Sequence, residues 1–381
     1  MMICAPVLAS AESKWLAVSE AMRRSGTGAE DGQQSDREDA RVAAGASSSL
    51  KRRATRGRAV ALTGANTSLG RNIVGLLEAD STIGRIVLID VKSPSSAGPK
   101  SIFYEVDLTQ PAVESKVAEI LNAEQVDTLL HLAFARPTQA VGWAHELESV
   151  GTMHVLAACR KHRLRKLVLR STTLVYGPHP QNPNFLTEEH PLRGLHGSHF
   201  VSDKLDVEEQ VRRYADDEPA CCVTVLRLAH VLGPSADSYV ARWLSRRFVP
   251  TAMGHDPLVQ FVHELDAVAA LKLALERDVP GVFNIASDGV LPISTLIKLA
   301  GRIGVPVPYP WLRRLAALLW VTQLTEEPPS FAAMLRYLCV VDAGKARRAL
   351  GFRPVYSSRD AVLDFEGALR LREARLLHEA V

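Results

Sequence analysis

At 381 residues the chain is long enough to bury a substantial core, as one large elaborated domain or as two. Apolar residues make up 47% and charged residues 23%, and a formal net charge of +3 is too small to imply nucleic acid or a membrane as partner. The five cysteines (Cys4, Cys159, Cys221, Cys222 and Cys339) form no CxxC pair, which argues for reduced thiols and against a disulfide framework or a metal site.

Residues 1–58 are expected to be a disordered N-terminal extension. From residue 21 onward they are rich in Ser, Gly, Ala and charge and nearly devoid of large apolar side chains, so folding them would not offset the ordering entropy. Met1 to Ala9 is apolar but lacks a basic lead, so no secretory signal is expected and the location reads as cytoplasmic.

From Ala59 the texture becomes apolar runs alternating with helical spacing, the signature of βαβ units. The reading places strands at Ala59–Leu62, Ile86–Ile89, Ile102–Val106, Val126–Leu132, from Leu167, and Val223–Leu228. Helices fall at Leu69–Leu77, Val113–Leu121, His145–Cys159 and Val201–Tyr214. Continuous apolar strands joined by helices mean a parallel sheet covered on both faces, hence an α/β, Rossmann-type doubly wound domain over residues 59–232. Residues 233–381 are more irregular and richer in proline, with helices near 264–276, 293–303, 311–323 and 359–376; they are expected to form a smaller, interleaved C-terminal lobe over the substrate. The helix holding Trp311 and Trp320 is expected to pack over the cleft or at a subunit contact.

The turn after the first strand reads Thr63-Gly64-Ala65-Asn66-Thr67-Ser68-Leu69-Gly70. Gly64 permits a tight turn, Gly70 a close helix, and amides between them can face a pyrophosphate. Thr67 occupies the middle glycine position, where its hydroxyl either donates to phosphate or narrows the site. Asp90 ends the next strand near the spacing, about 20 residues, of a carboxylate that accepts from an adenosine ribose hydroxyl. That acid repels a 2′-phosphate and favours NAD; Lys92 and Lys100 keep NADP open.

Together these residues resemble the extended short-chain dehydrogenase/reductases, the NAD-dependent epimerases and dehydratases acting largely on nucleotide sugars. Val106-Asp107-Leu108 is similar to the segment that contacts adenine, and Leu130-His131-Leu132-Ala133 to the segment whose backbone passes the cofactor. Ser171-Thr172-Thr173-Leu174-Val175-Tyr176-Gly177 resembles the serine-rich strand end, with Thr172 at the catalytic Ser/Thr position and Tyr176 lining the substrate pocket. Gln260-Phe261-Val262-His263, Val282-Phe283-Asn284-Ile285 and Ala349-Leu350-Gly351-Phe352-Arg353-Pro354 resemble later landmarks. The resemblance implies NAD, a nucleotide sugar or other alcohol or ketone as substrate, and a homodimer through the helices near Glu148 and Lys204.

The sequence departs from that family at the chemistry. The family pairs a tyrosine with a lysine four residues on; here His199-Phe200-Val201-Ser202-Asp203-Lys204 keeps Lys204 and places Phe200 where the tyrosine stands. Glu148 takes the place of an asparagine that helps order the active site and is expected near substrate, where it either pairs with Lys204, competes with the ribose, or faces another way. Two readings follow: an enzyme with a modified proton relay, or a catalytically impaired NAD(P)-binding sensor or scaffold.

Overall fold

The computed structural model describes residues 57–133, 141–322, 325 and 328–379. The predicted extension lies outside the described residues except at its end, where Arg58 already opens the first strand.

Seven strands form the main sheet: β1 (Arg58–Thr63), β2 (Ile83–Asp90), β3 (Ser101–Glu105), β4 (Thr128–His131), β5 (Lys166–Thr172), β6 (Cys222–Leu228) and, after short strands β7 (His230–Leu232), β8 (Phe248–Ala252), β9 (Leu258–Val259) and β10 (Phe261–His263), the edge strand β11 (Gly281–Ile285). Their order is β11-β6-β5-β4-β1-β2-β3, and each pairing is parallel. Side chains alternate between faces, as a doubly covered sheet requires. Val60 and Leu62 join one apolar cluster while Ala61 joins the other; Ile86 and Leu88 against Val87 and Ile89 repeat the pattern on β2.

Helices α1 (Ser68–Ala79), α2 (Val113–Ala123), α3 (Val141–His145), α4 (Gly151–His162) and α5 (His199–Asp217) alternate with the strands, as the apolar spacing predicts. Between α3 and α4 the helix widens into a π turn, Glu146–Val150, so the predicted single helix over 145–159 is interrupted. Strand β4 is shorter than the apolar run 126–132 because its pairing with β1 and β5 stops at His131.

The later segments carry α6 (Tyr239–Leu244), α7 (Glu264–Glu276), α8 (Ile293–Leu299), β12 (Leu291–Pro292), β13 (Ile303–Val307), α9 (Tyr309–Val321), α10 (Phe331–Met334), α11 (Gly344–Ala349) and α12 (Ser358–Glu379). The helix predicted over 293–303 ends at Leu299. Gly301 then turns the chain at φ +63°, and Ile303 opens β13, which pairs with β8. Helix α7 packs with α1 on one face of the main sheet, while α6, α8, β8, α9, α10 and α12 share a third apolar cluster.

The edge strand β11 is locked by buried polar groups. Arg227 on β6 makes three contacts with the Glu208 carboxylate, at 2.6 to 3.1 Å, and donates to the Tyr176 hydroxyl at 2.8 Å. Tyr176 donates onward to Asn284 Oδ1 at 2.8 Å, and Asn284 donates to the Leu186 carbonyl. The buried charge is thus paired and hydrogen-bonded, the condition under which burial is tolerated.

Candidate functional site

The crevice lies outside the carboxyl ends of β1 and β4, where the chain order reverses across the sheet and where ligands of such folds bind. Gly64 sits there at φ +72°, and a Cβ on it would stand 2.5 Å from the backbone of Leu132 and Ala133. A Cβ on Gly70 would stand 2.4 Å from the Gly64 carbonyl oxygen. The two glycines therefore let the turn, the exit of β4 and the start of α1 lie in backbone contact, and Leu69, Leu132 and Ala133 are buried beneath them.

Thr67 is the N-cap of α1. Its hydroxyl donates to the Gly64 carbonyl at 2.9 Å and accepts from Gly70 N–H at 3.0 Å. Of the two uses open to that hydroxyl in the sequence, the structure displays a third, internal one. Replacing Thr67 with Ala is expected to lower stability by about 0.5–2 kcal/mol. Urea unfolding checks the loss; a coenzyme affinity unchanged within a few-fold would separate capping from phosphate contact.

Asp90 closes β2 with its carboxylate accepting from Asn66 N–H at 3.1 Å and Val91 N–H at 2.8 Å, and it remains partly exposed. Asn66 donates through its side chain to the Lys92 carbonyl. Ser68 is hydrogen-bonded to Ser235 at 2.6 Å, and Ser235 donates to Glu264, which ties the start of α1 to the later segments. Asp107 accepts from Thr109 and Gln110. Burial pushes its carboxyl up, but those hydrogen bonds outweigh burial and hold it below the usual carboxylate range. Leu108 is buried beside it.

Across the crevice, Thr172 ends β5 and its hydroxyl accepts from Leu174 N–H at 3.3 Å. Phe200 lies in the first turn of α5, and Lys204 follows one turn later on the same face. The Lys204 ammonium lies 2.7 Å from Glu148 Oε2 and 5.3 Å from the Phe200 ring centroid. The π turn brings Glu148 inward, a device found often at functional sites. Burial lowers the Lys204 ammonium to about 8, with the Glu148 charge opposing the fall. Burial raises the Glu148 carboxyl, with the Lys204 charge pulling the other way.

Arg170 and Tyr239 complete this wall, and both escaped the sequence reading. The Tyr239 ring meets Phe200 edge-on at a centroid distance of 5.8 Å. Burial lowers the Arg170 guanidinium value, against the Glu148 charge. The signal for Arg170 is a charge directly after the apolar run Leu167-Val168-Leu169, still within the strand; Tyr239 sits on a short helix with no motif.

Under the wall, His131 bonds Thr63 at 2.6 Å and Thr152 at 3.0 Å through its two ring nitrogens. Burial, then the Lys204 charge, lowers it to about 3, so the ring is neutral. His199 is exposed at the start of α5, whose N-cap is Ser198.

Thr67, Ser68, Leu69, Thr172, Phe200 and Lys204 therefore line one cleft. Two expected substrate contacts stand apart from its wall. Tyr176 is 1% exposed with its hydroxyl held by Arg227 and Asn284, and Glu148 is fully buried behind Lys204. The basic run from Arg160 is a helix end paired with Asp217 and Glu218.

Residues 60–286 match the model of the NAD dependent epimerase/dehydratase family. The chain belongs to that family. An uncharacterized protein of Mycobacterium tuberculosis (strain ATCC 25618 / H37Rv) is 34% identical over 80% of this chain and 82% of its own. A 3-diazoavenalumate denitrifying reductase of a Streptomyces species is 27% identical over 78% of this chain and 97% of its own. Among solved structures, a tyrosine-to-phenylalanine mutant of UDP-glucuronic acid 4-epimerase from Bacillus cereus, in complex with UDP-4-deoxy-4-fluoro-glucuronic acid and NAD, superposes with a TM-score of 0.64. It is 18% identical and covers 82% of this chain and 99% of its own, a likeness of fold. Among the described residues, no helix is long and apolar enough to cross a membrane.

Proposed function

We propose that the chain holds NAD in the crevice and works by redox chemistry on a nucleotide-linked sugar or another alcohol or ketone, with a proton relay altered at Phe200. The single observation that carries the reading is the Gly64–Gly70 turn, whose two glycines let the turn pack on the exit of β4 and set the start of α1, at Thr67, Ser68 and Leu69, on the cleft, where backbone amides can meet a diphosphate. The residues present fit a dinucleotide: backbone amides at the turn for the diphosphate, Asp90 for a ribose hydroxyl, and Lys204 with Thr172 at the far end. The Asp90 carboxylate favours NAD over NADP because it repels a 2′-phosphate. The cofactor's chemistry is hydride transfer. The reductase relative supports redox chemistry, and the epimerase neighbour's complex with NAD and a UDP-sugar supports the substrate class.

Thr172 offers a hydroxyl that can bond a reacting oxygen, and Lys204 offers a buried ammonium. Phe200 lines the same cleft beside Lys204 and carries no exchangeable proton. A second reading, a binding protein with impaired catalysis, draws on the same geometry: Glu148 already holds the ammonium at 2.7 Å.

Calorimetric titration at pH 7 tests the binding step that both readings share. NAD is expected to bind, and more tightly than NADP. Lys204 donates to a ribose in its charged form, and its folded value is about 8. NAD affinity should therefore fall as pH rises through about 8, by roughly tenfold or more for a charged hydrogen bond. In Lys204→Met the profile should be flat. A folded protein that gives no heat with either coenzyme would overturn the proposal.

A further inference from the structure

We infer that the face built by α9 and the outer side of the β8–β13 pair docks on an anionic lipid surface, independently of the coenzyme crevice. The helix predicted to be packed buries only Leu312 in the third apolar cluster. Trp311, Leu315 and Leu318 follow at i, i+4 and i+7, so they form one stripe, and it faces solvent: Trp311 is 64% exposed and Leu318 60%. The neighbouring strands continue the patch. Phe248 stands opposite Ile303 and Pro250 opposite Val305, while Val249 between them points into the core. Phe248, Ile303 and Val305 are all exposed. Large apolar side chains exposed together rather than singly mark an interaction surface.

Charge selects the occupant. Arg247, Arg313 and Arg314 are exposed around the patch, and no acid occurs between Ser238 and Met253 or between Arg302 and Thr322. The Arg247 guanidinium lies over Phe248 at 5.6 Å and that of Arg314 over Trp311 at 5.4 Å, so cationic heads flank the apolar rings. A second copy docking face to face would set arginines against arginines. Anionic headgroups would neutralise them while acyl chains take the stripe, the pattern of interfacial helices. The small net charge of the whole chain hides this local concentration. None of these patch residues lines the coenzyme cleft.

The full chain is tested by flotation with vesicles of phosphatidylcholine alone and with phosphatidylglycerol added. Binding is expected on the anionic vesicles at low salt, roughly tenfold or more above the neutral ones, with release in molar salt, where the screening length is about 3 Å. The exposed substitutions Trp311→Ser with Leu318→Ser, and separately Arg313→Glu with Arg314→Glu, should each remove it while the circular dichroism spectrum is retained. A folded wild-type protein that stays off anionic vesicles, or variants that bind as well as wild type, would overturn the inference. A dimer in sedimentation that the Trp311/Leu318 variant splits would assign the face to a second copy instead.

Discussion

Replacing Phe200 with Tyr is expected to raise hydride exchange between NADH and a ketone or sugar-nucleotide acceptor by about 10²–10⁴, the usual contribution of a positioned acid or base. The side chain is half-buried at the cleft wall, its ring edge-on to Tyr239 and its centroid 5.3 Å from the Lys204 ammonium. A phenol fits the same volume with one added oxygen, and the nearby positive charge favours its ionised form. The hydroxyl then supplies an exchangeable proton at position 200, beside the Lys204 ammonium. Tritium transfer from labelled NADH across an acceptor panel, measured for parent and variant together, reads the gain. A parent that already turns over as fast as the variant would move the proton relay to another residue and sink the role given to position 200. A variant that binds NAD with unchanged affinity and still gains nothing would show that Glu148, by holding Lys204, blocks the site.

The sheet was legible because its signal is local. Apolar runs such as Ile86–Ile89 and Val223–Leu228 are buried on both sides, so composition alone marks them, and the glycines of the turn stand at fixed positions in the chain. What escaped depends on contacts between distant segments. β11 sits far along the chain, is short, and owes its place to Asn284, whose partners are Tyr176, Leu186 and Glu188. The capping role of Thr67 follows from the backbone path from Gly64 to Gly70, whereas the spacing alone posed only a choice between phosphate contact and obstruction. The same holds for Glu148: its departure from the family residue was visible, but its direction was set by a π turn that no periodicity announces. Tyr176 was placed by analogy near substrate, and the Arg227 and Glu208 side chains that enclose it lie on β6 and α5. Sequence patterns thus marked which residues are unusual, and packing decided what each one touches.

The Glu148→Gln variant is expected to lose about 3–5 kcal/mol of stability at neutral pH, because it removes one partner of a buried ion pair and keeps the other. The side chains of Lys204 and Glu148 are 4% and 1% exposed, so water can compensate little. Arg170 adds a second positive charge at the same place, and its own value is lowered by burial and supported by Glu148. The loss has a predictable pH dependence. Lys204 has a folded value of about 8 against 10.5 in the unfolded chain, so between those values the unfolded chain holds more protons and stability rises with pH. Glu148 opposes the lowering of Lys204; without it the folded value drops further and the window extends to lower pH. The unfolded value is common to both proteins and cancels, so the deficit of the variant should be largest below neutrality and should shrink as pH rises through about 8, where the lysine is discharged in both folded proteins. Urea unfolding of both proteins at pH 7 and near pH 10 measures it. A deficit below about 1 kcal/mol at pH 7, the range of an exposed pair, would mean that water reaches this site. The companion change, Glu148→Leu with Lys204→Met, should recover part of the stability, since replacing both members of a buried pair by apolar groups is often neutral while Arg170 still loses the Glu148 charge. It should also weaken NAD binding by roughly tenfold or more and remove its pH dependence, which would separate what the pair does for the fold from what Lys204 does for the coenzyme.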